Sequence, residues 1–189
     1  MMIVPRTPPT VTPDIRAFAR SVLSGREPIG LAHVPCQARR GSVEAECFAA
    51  VDDQVRELGG TAIQGWALWE HPGVLLEAEF HAVWCSPLGG VCDVVNRGGD
   101  PRPHILFIPD PTRRYAGAPL DTVRLPLVTD PRMDELLRAS EAIFEIMNRG
   151  DRATRKHITI PRVEHERLLA LQALKGHRLA ELVRDHGAT

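Results

Sequence analysis

The feature that most constrains the fold of this chain is a hairpin pattern over residues 74–95, which reads VLLEAEFHAVWCSPLGGVCDVV. Two runs of apolar, β-branched and aromatic residues flank the segment PLGG at 87–90. This pattern predicts two antiparallel strands joined by a short turn that contains glycine. The first strand carries His81 near its middle, and the second carries Asp93.

The length of the turn decides whether His81 and Asp93 meet, because side chains on a strand alternate between its two faces. A three-residue loop closed by Ser86 and Gly90 places them on one face as diagonal neighbours, whereas a two-residue loop separates them. The glycine pair favours the three-residue loop, since one residue there needs a positive φ. A carboxylate beside a histidine fixes the tautomer and stabilises the imidazolium, as a general base requires. The alternative is a partly buried histidine with an unrelated surface aspartate.

A second constraint comes from residues 44–58, which have the apolar stripe of a helix and end at a glycine pair. Cys47 lies in the first turn, where the partial positive charge of the helix terminus favours a thiolate. A nucleophilic cysteine needs such a site and a histidine within reach. The chain order of Cys47 on a helix, His81 on a strand and Asp93 on the next strand therefore predicts a catalytic set. The alternatives are that Cys47 is a small buried apolar residue, or that Cys36 is the nucleophile.

Composition narrows the function classes. The formal net charge is −1 over 189 residues, so we expect neither nucleic acid nor a membrane surface as the main partner. No apolar run approaches the ~20 residues of a membrane span, and the N-terminus has no signal-peptide pattern. Four cysteines without a C-x-x-C pair predict reduced thiols and a cytoplasmic location, and we expect no cofactor and no metal.

The remaining segments give coarser signals. Helices are predicted over 14–23, with Asp14 as the N-cap, over 134–148 and over 162–185. Strands are predicted over 62–70, over 105–108 and in a short run around Val123. Residues 24–41 are predicted to be loop, because glycine and proline recur there.

These elements predict an α+β fold in which a helix packs on a small antiparallel sheet, with a C-terminal helical pair. The predicted divisions are a flexible N-terminal tail over 1–13, an α+β domain over 14–130 and a C-terminal helical extension over 131–189.

Two sets of residues carry a resemblance to known families. The helix-borne Cys47, the strand-borne His81 and the polar Asp93 on the partner strand resemble the papain-like fold, especially its NlpC-like cysteine peptidase branch. The residues ECF at 46–48 and EAEFHAVW at 77–84 also resemble a group of uncharacterised bacterial and phage proteins. The resemblance implies a papain-like core, with Cys47 as the nucleophile, His81 as the base and Asp93 as the residue that orients the base.

Four further residues are candidates for binding a substrate. Trp66 and Trp69 are three positions apart, so they point to opposite faces of a regular strand, one towards the core and one towards a groove. Glu79 shares the strand face of His81, where it would hold a substrate ammonium or lie on a solvated acidic face. Gln37, by residue type alone, is the candidate second donor of an oxyanion hole beside the Cys47 N–H.

The first functional hypothesis is a thiol-dependent hydrolase or acyltransferase that cleaves an amide, ester or thioester of a small molecule or peptide through an acyl-enzyme on Cys47. The alternative is a non-enzymatic binding module. It is motivated by Ala50, where the resembling group has asparagine, and by the leucine stripe of the last helix, which would dock a partner or form a homodimer. A third hypothesis is a structural zinc site at Cys85 and Cys92.

Overall fold

The computed structural model describes residues 3–42, 46–97, 102–155 and 158–187. Over these ranges the protein has the predicted α+β fold, with C-terminal helices. The helices are α1 (Pro13–Val22), α2 (Cys47–Leu58), α3 (Pro131–Asn148) and α4 (Arg162–His186), with a 3₁₀ helix over Gly150–Thr154. The strands are β1 (Ala32–Pro35), β2 (Thr61–His71), β3 (Leu75–Cys85), β4 (Val91–Cys92), β5 (His104–Pro109) and β6 (Val123–Pro126).

Two local predictions are wrong. The predicted loop over 24–41 contains β1, which is only four residues long and therefore lacks a long alternating pattern. The N-cap of α1 is Thr12 rather than Asp14, because Thr12 Oγ1 accepts a hydrogen bond from Ile15 N at 3.3 Å. Pro13 then occupies the first helical position, where its missing N–H leaves no helical bond unmade. The predicted start of the second helix at residue 44 lies outside the described residues.

The sheet has the strand order β1–β5–β2–β3–β4, and β6 pairs with β3. Just beyond β1 and β4, Cys36 and Asp93 form a parallel bridge. In this bridge Asp93 N donates to Pro35 O at 2.9 Å, and Gln37 N donates to Asp93 O at 2.8 Å. The bridge connects the first strand of the order to the last, so the sheet closes on itself at Asp93.

The chain forms two compact units. The first, called the sheet unit below, comprises Thr7–Trp69 and Ala78–Tyr115, and the second, called the helical unit, comprises Met1–Arg6, Glu70–Glu77 and Ala116–Thr189. The divisions predicted from the sequence, at 13/14 and 130/131, stay predictions.

In the sheet unit, successive residues of β3 face two different clusters. Val83 belongs to a cluster formed by strand residues alone, which are Val34, Ala67, Trp69, Ile105 and Phe107. Ala82 belongs to the other cluster, in which Ala50 and Val51 of α2 pack against Cys92 and Val94. The apolar stripe of α2 therefore covers one face of the sheet, as the sequence predicts.

The helical unit has its own core, in which the end of the β2–β3 hairpin packs against α3 and α4. Its buried residues are Val74, Leu75, Met133, Leu136, Leu179 and Leu182. Part of the predicted leucine stripe of α4 is thus buried within the chain. Within the described ranges, no helix combines the length and apolarity that crossing a membrane requires.

Candidate active site

The turn between β3 and β4 has the three-residue loop that the sequence favours. Ser86 N donates to Gly90 O at 2.8 Å, and the register pairs Cys85 with Val91. Gly89 has a φ of 85°, a conformation that glycine adopts without steric cost. The loop therefore consists of residues 87–89, and its register places His81 and Asp93 on the same face.

His81 and Asp93 meet as this register predicts. His81 Nε2 lies 3.1 Å from Asp93 Oδ1, and the two residues are only 2% and 0% exposed. Asp93 Oδ1 also accepts a hydrogen bond from Val95 N at 3.1 Å. Together with the backbone bridge to Cys36, these bonds fix the carboxylate in a buried position against the imidazole.

Cys47 is the first residue of α2, and its thiol is close enough to interact with the His81 ring. Because Asp93 occupies Nε2, the ring nitrogen left for the thiol is Nδ1. Nδ1 is buried and has no hydrogen-bond partner of normal geometry among the described residues. Among the described residues there is thus no hydrogen bond between the Cys47 thiol and His81 Nδ1, and catalytic hydrogen bonds commonly tighten only when substrate is bound.

The surroundings of His81 favour its protonated form. Burial alone lowers the pKa of the imidazole, but the hydrogen bond to Asp93, the neighbouring Cys47 and the charge of Asp93 together raise it from 6.5 to about 10. At neutral pH His81 is therefore an imidazolium that donates through Nε2 to Asp93 and carries a second proton on Nδ1. Such a ring stabilises a thiolate.

Arg97 is a site residue that the sequence reasoning missed. Its Nη2 and Nε donate to Asp93 Oδ2 at 2.7 and 3.2 Å, and its side chain is 16% exposed. Burial raises the pKa of Asp93, but the bonds and charges of His81 and Arg97 hold it below its usual range. The only signal in the sequence is that Asp93 and Arg97 are four residues apart. This spacing predicts an ion pair when both residues lie on a helix, but this segment is not helical.

Two predicted substrate residues, Trp69 and Glu79, lie beside Arg97. Trp69 Nε1 donates to Glu79 Oε2 at 3.0 Å, and Arg97 Cζ lies 5.0 Å from the centroid of the indole ring. Arg102 lies over the same ring at 4.8 Å. Glu79 is half-buried and accepts a hydrogen bond, so it does not belong to a solvated acidic face.

The other two predicted substrate residues lie elsewhere. Trp66 is 3% exposed, donates from Nε1 to Asp110 at 3.2 Å and packs against Phe80, on the opposite strand face from Trp69. Gln37 has an exposed side chain, and its backbone N–H is used in the bridge to Asp93. As the spacing predicts, the two tryptophans face opposite ways, and Trp69 is the one near the histidine.

The helix terminus supplies a candidate site for developing negative charge. The first N–H groups of a helix have no partner within the helix, and the side chain of the N-cap residue Glu46 does not cap α2. N–H groups at such a terminus stabilise an oxyanion next to the nucleophile. Cys47 therefore lies at an anion-stabilising helix terminus and within electrostatic reach of the His81 ring.

The other three cysteines have different surroundings. Burial and the charge of Asp93 raise the pKa of Cys36 to about 11, so this rival nucleophile stays a thiol at neutral pH. Cys85 and Cys92 occupy opposite faces, since Cys92 pairs with Trp84 and Cys85 with Val91. Among the described residues, no group of three or more histidine, cysteine or acidic side chains is arranged to hold a metal ion.

Comparison with known proteins finds no relative that would identify this arrangement. The chain matches no protein-family model, no curated protein and no solved structure.

Proposed function

We propose that this protein is a thiol-dependent hydrolase or acyltransferase that acts on an amide, ester or thioester through an acyl-enzyme on Cys47. The observation that carries the proposal is the division of the two His81 nitrogens. Nε2 is bonded to the buried carboxylate of Asp93 at 3.1 Å, and Nδ1 is left for a cysteine at a helix N-terminus. In this arrangement Cys47 attacks the acyl group, His81 transfers protons, and Asp93 holds the His81 ring in the correct tautomer.

In the first half-reaction, the Cys47 sulfur attacks the carbonyl carbon and forms a carbon–sulfur bond, and the carbonyl electron pair moves to oxygen. Backbone N–H groups at the start of α2 stabilise this oxyanion. His81 gives its Nδ1 proton to the leaving amine, alcohol or thiol as the carbonyl re-forms. The products are an acyl-thioester on Cys47 and a neutral imidazole that Asp93 holds in the correct tautomer.

In the second half-reaction, neutral His81 takes a proton from water or from an acceptor amine as that nucleophile attacks the thioester. The carbon–sulfur bond breaks, Cys47 leaves as the thiolate, and the starting imidazolium is restored. Water yields hydrolysis and an amine yields acyl transfer. A small molecule or a peptide is the substrate we propose, and a papain-like relationship of the core is part of the same proposal.

The four free cysteines also support a reducing, cytoplasmic location as part of this proposal. A homodimer through the C-terminal helices stays a proposal of its own, and sedimentation of the intact chain tests it.

The experiment is acylation of the intact protein with p-nitrophenyl acetate, followed by mass spectrometry of the peptides. We expect one acetyl group on Cys47, removable by hydroxylamine, and none in Cys47→Ala. Cys85→Ser is the matched control, because it removes a half-buried thiol of the same sheet unit whose sulfur donates to Ser86 O at 3.7 Å rather than to Asp93, and it should acylate like the wild type. Acetylation spread over lysines without a Cys47 adduct would overturn the proposed function.

A further inference from the structure

We propose that Arg97 is a positioning residue for this reaction, which holds the Asp93 carboxylate in the orientation that supports His81. The inference rests on the proposed function. It assigns a role to a residue that touches neither the Cys47 sulfur nor a bound acyl group, and it gives Trp69 and Glu79 a supporting role in place of substrate binding.

The two oxygens of the Asp93 carboxylate have different partners. Both Arg97 nitrogens that reach Asp93 donate to Oδ2, at 2.7 and 3.2 Å. Oδ1 is thereby left to accept from His81 Nε2 and Val95 N, each at 3.1 Å. A planar guanidinium that donates through two nitrogens restricts the rotation of the carboxylate more than a single donor does.

Arg97 is itself held in place by neighbouring side chains. Its guanidinium packs on the Trp69 ring, whose indole N–H is bonded to Glu79 at 3.0 Å. Burial lowers the pKa of Arg97, but the charges of Asp93 and Glu79 raise it above its ordinary value, so it stays a cation. A guanidinium already held on an aromatic face loses less conformational freedom on binding a carboxylate than one that moves freely in solvent.

Asp93 is fully buried, at 0% exposure. A buried carboxylate stays ionised only with compensating charge and hydrogen bonds. Arg97 Nη2 also lies 3.4 Å from His81 Nε2, and both nitrogens carry protons when His81 is an imidazolium, so this pair is not a hydrogen bond. His81 and Arg97 both balance the negative charge of the Asp93 carboxylate. When His81 becomes neutral within the catalytic cycle, Arg97 is the cation that still balances it.

The experiment measures the rate of Cys47 alkylation by iodoacetamide as a function of pH in Arg97→Gln and in the wild type. Both proteins are compared under conditions in which the same fraction is folded. Removing a positive charge makes proton uptake by the site easier, so the acid limb should move to higher pH by about 1 to 3 units. The plateau rate should fall by about tenfold, because Asp93 is no longer fixed. If Arg97 only stabilised the fold, Arg97→Gln would lower the thermal stability and leave the acid limb of the alkylation profile unchanged.

Arg26→Gln is the matched control. Arg26 Nη2 donates to Asp110 Oδ1 at 2.9 Å, and Asp110 is a buried carboxylate of the same sheet unit at 1% exposure. This variant loses the same kind of bond outside the site, so its alkylation profile should match the wild type.

Arg97→Lys decides the case if Arg97→Gln does not fold. Lysine keeps the charge but loses the two-nitrogen contact, so the acid limb should stay close to that of the wild type while the plateau rate falls. A folded Arg97→Gln with wild-type limb and plateau, or an Arg97→Lys with a wild-type plateau, would overturn the inference. If instead the wild-type protein shows no labelling of Cys47 that depends on His81, the proposed function itself fails.

Discussion

The Asp93 carboxylate accepts hydrogen bonds from two cations and one backbone N–H although the side chain has no contact with solvent. Taking a carboxylate out of water costs several kcal/mol unless donors replace the lost hydration. Here His81, Arg97 and Val95 N replace it. The ionised state of His81 depends in turn on Asp93, because burial without a carboxylate favours the neutral imidazole. At the scale of single residues, these ionisations therefore form one coupled set.

This coupling predicts the behaviour of Asp93→Asn. The pKa of His81, raised to about 10 in the folded protein, should fall by about 1 to 3 units, because the hydrogen bond to Asp93 is the largest of the interactions that raise it, ahead of the interactions with Cys47 and the charge of Asp93. Stability should fall by about 3 kcal/mol, since Arg97 is left buried beside a neutral group. NMR titration of isotope-labelled histidines measures the pKa, and His81→Gln identifies the resonance.

The control for this prediction is Asp110→Asn, which removes another buried carboxylate from the sheet unit. Asp110 accepts hydrogen bonds from Arg26 and Trp66, so its loss should also destabilise the fold. The His81 titration should nevertheless match the wild type. A His81 pKa that is unchanged in Asp93→Asn would show that the carboxylate does not control the imidazole.

At the scale of elements, the β3–β4 turn determines which side chains meet, because a one-residue change in loop length would put Asp93 on the other face. The glycine pair of the PLGG segment favoured this register, in which His81 and Asp93 share a face, over the two-residue loop. Arg97 could not be predicted in the same way. It reaches Asp93 from an irregular segment, and its position against Trp69 depends on the closure of the sheet.

The turn predicts a difference between two neighbouring glycines. Gly89 has a φ of 85° with nothing within 4 Å of an added Cβ, so Gly89→Ala should cost about 1 to 2 kcal/mol through backbone strain alone. Gly90 lacks the positive φ, and its added Cβ would lie 3.4 Å from Ser86 Oγ, an ordinary contact. Gly90→Ala should therefore change stability by less than about 0.5 kcal/mol. Urea unfolding of the two variants checks this, and equal losses would contradict the loop assignment.

At the scale of the whole molecule, the sequence indicated the α+β class and the approximate bounds of the long helices, because these depend on local periodicity. It did not indicate the closure of the sheet through Cys36 and Asp93, which are 57 residues apart in sequence. Nor could it indicate that β1 exists, since four residues, AHVP, become a strand only by pairing with β5. Long-range pairing is the information that a local pattern lacks.

The charge pairs of the site predict how stability depends on pH. The folded pKa of His81 is about 10 against 6.5 when unfolded, so its contribution is complete below about pH 6.5 and is lost as pH rises towards 10. Asp93 and Asp110 have lowered pKa values, so their contributions are present above about pH 4 and are lost as pH falls below it. Stability should therefore be greatest between about pH 4 and 6.5.

Thermal unfolding at a series of pH values measures this dependence. Between pH 6.5 and 10 the contribution of His81 to the free energy of unfolding should fall by up to about 1.4 kcal/mol per pH unit, because His81 keeps a proton in the folded protein that it has lost in the unfolded chain. His81→Gln should remove that slope. A wild-type slope that persists in His81→Gln would mean that another group carries the dependence.

The most direct test of the central claim is the rate of iodoacetamide labelling of Cys47 relative to Cys85 in the same sample, read by peptide mass spectrometry at neutral pH. Cys47 is only 6% exposed and Cys85 is half-buried, so accessibility alone favours Cys85. The account predicts that Cys47 nevertheless reacts faster, and that His81→Gln lowers the ratio by about 100-fold or more. Comparable rates at all four thiols, or a Cys47 rate that does not change in folded His81→Gln, would contradict it.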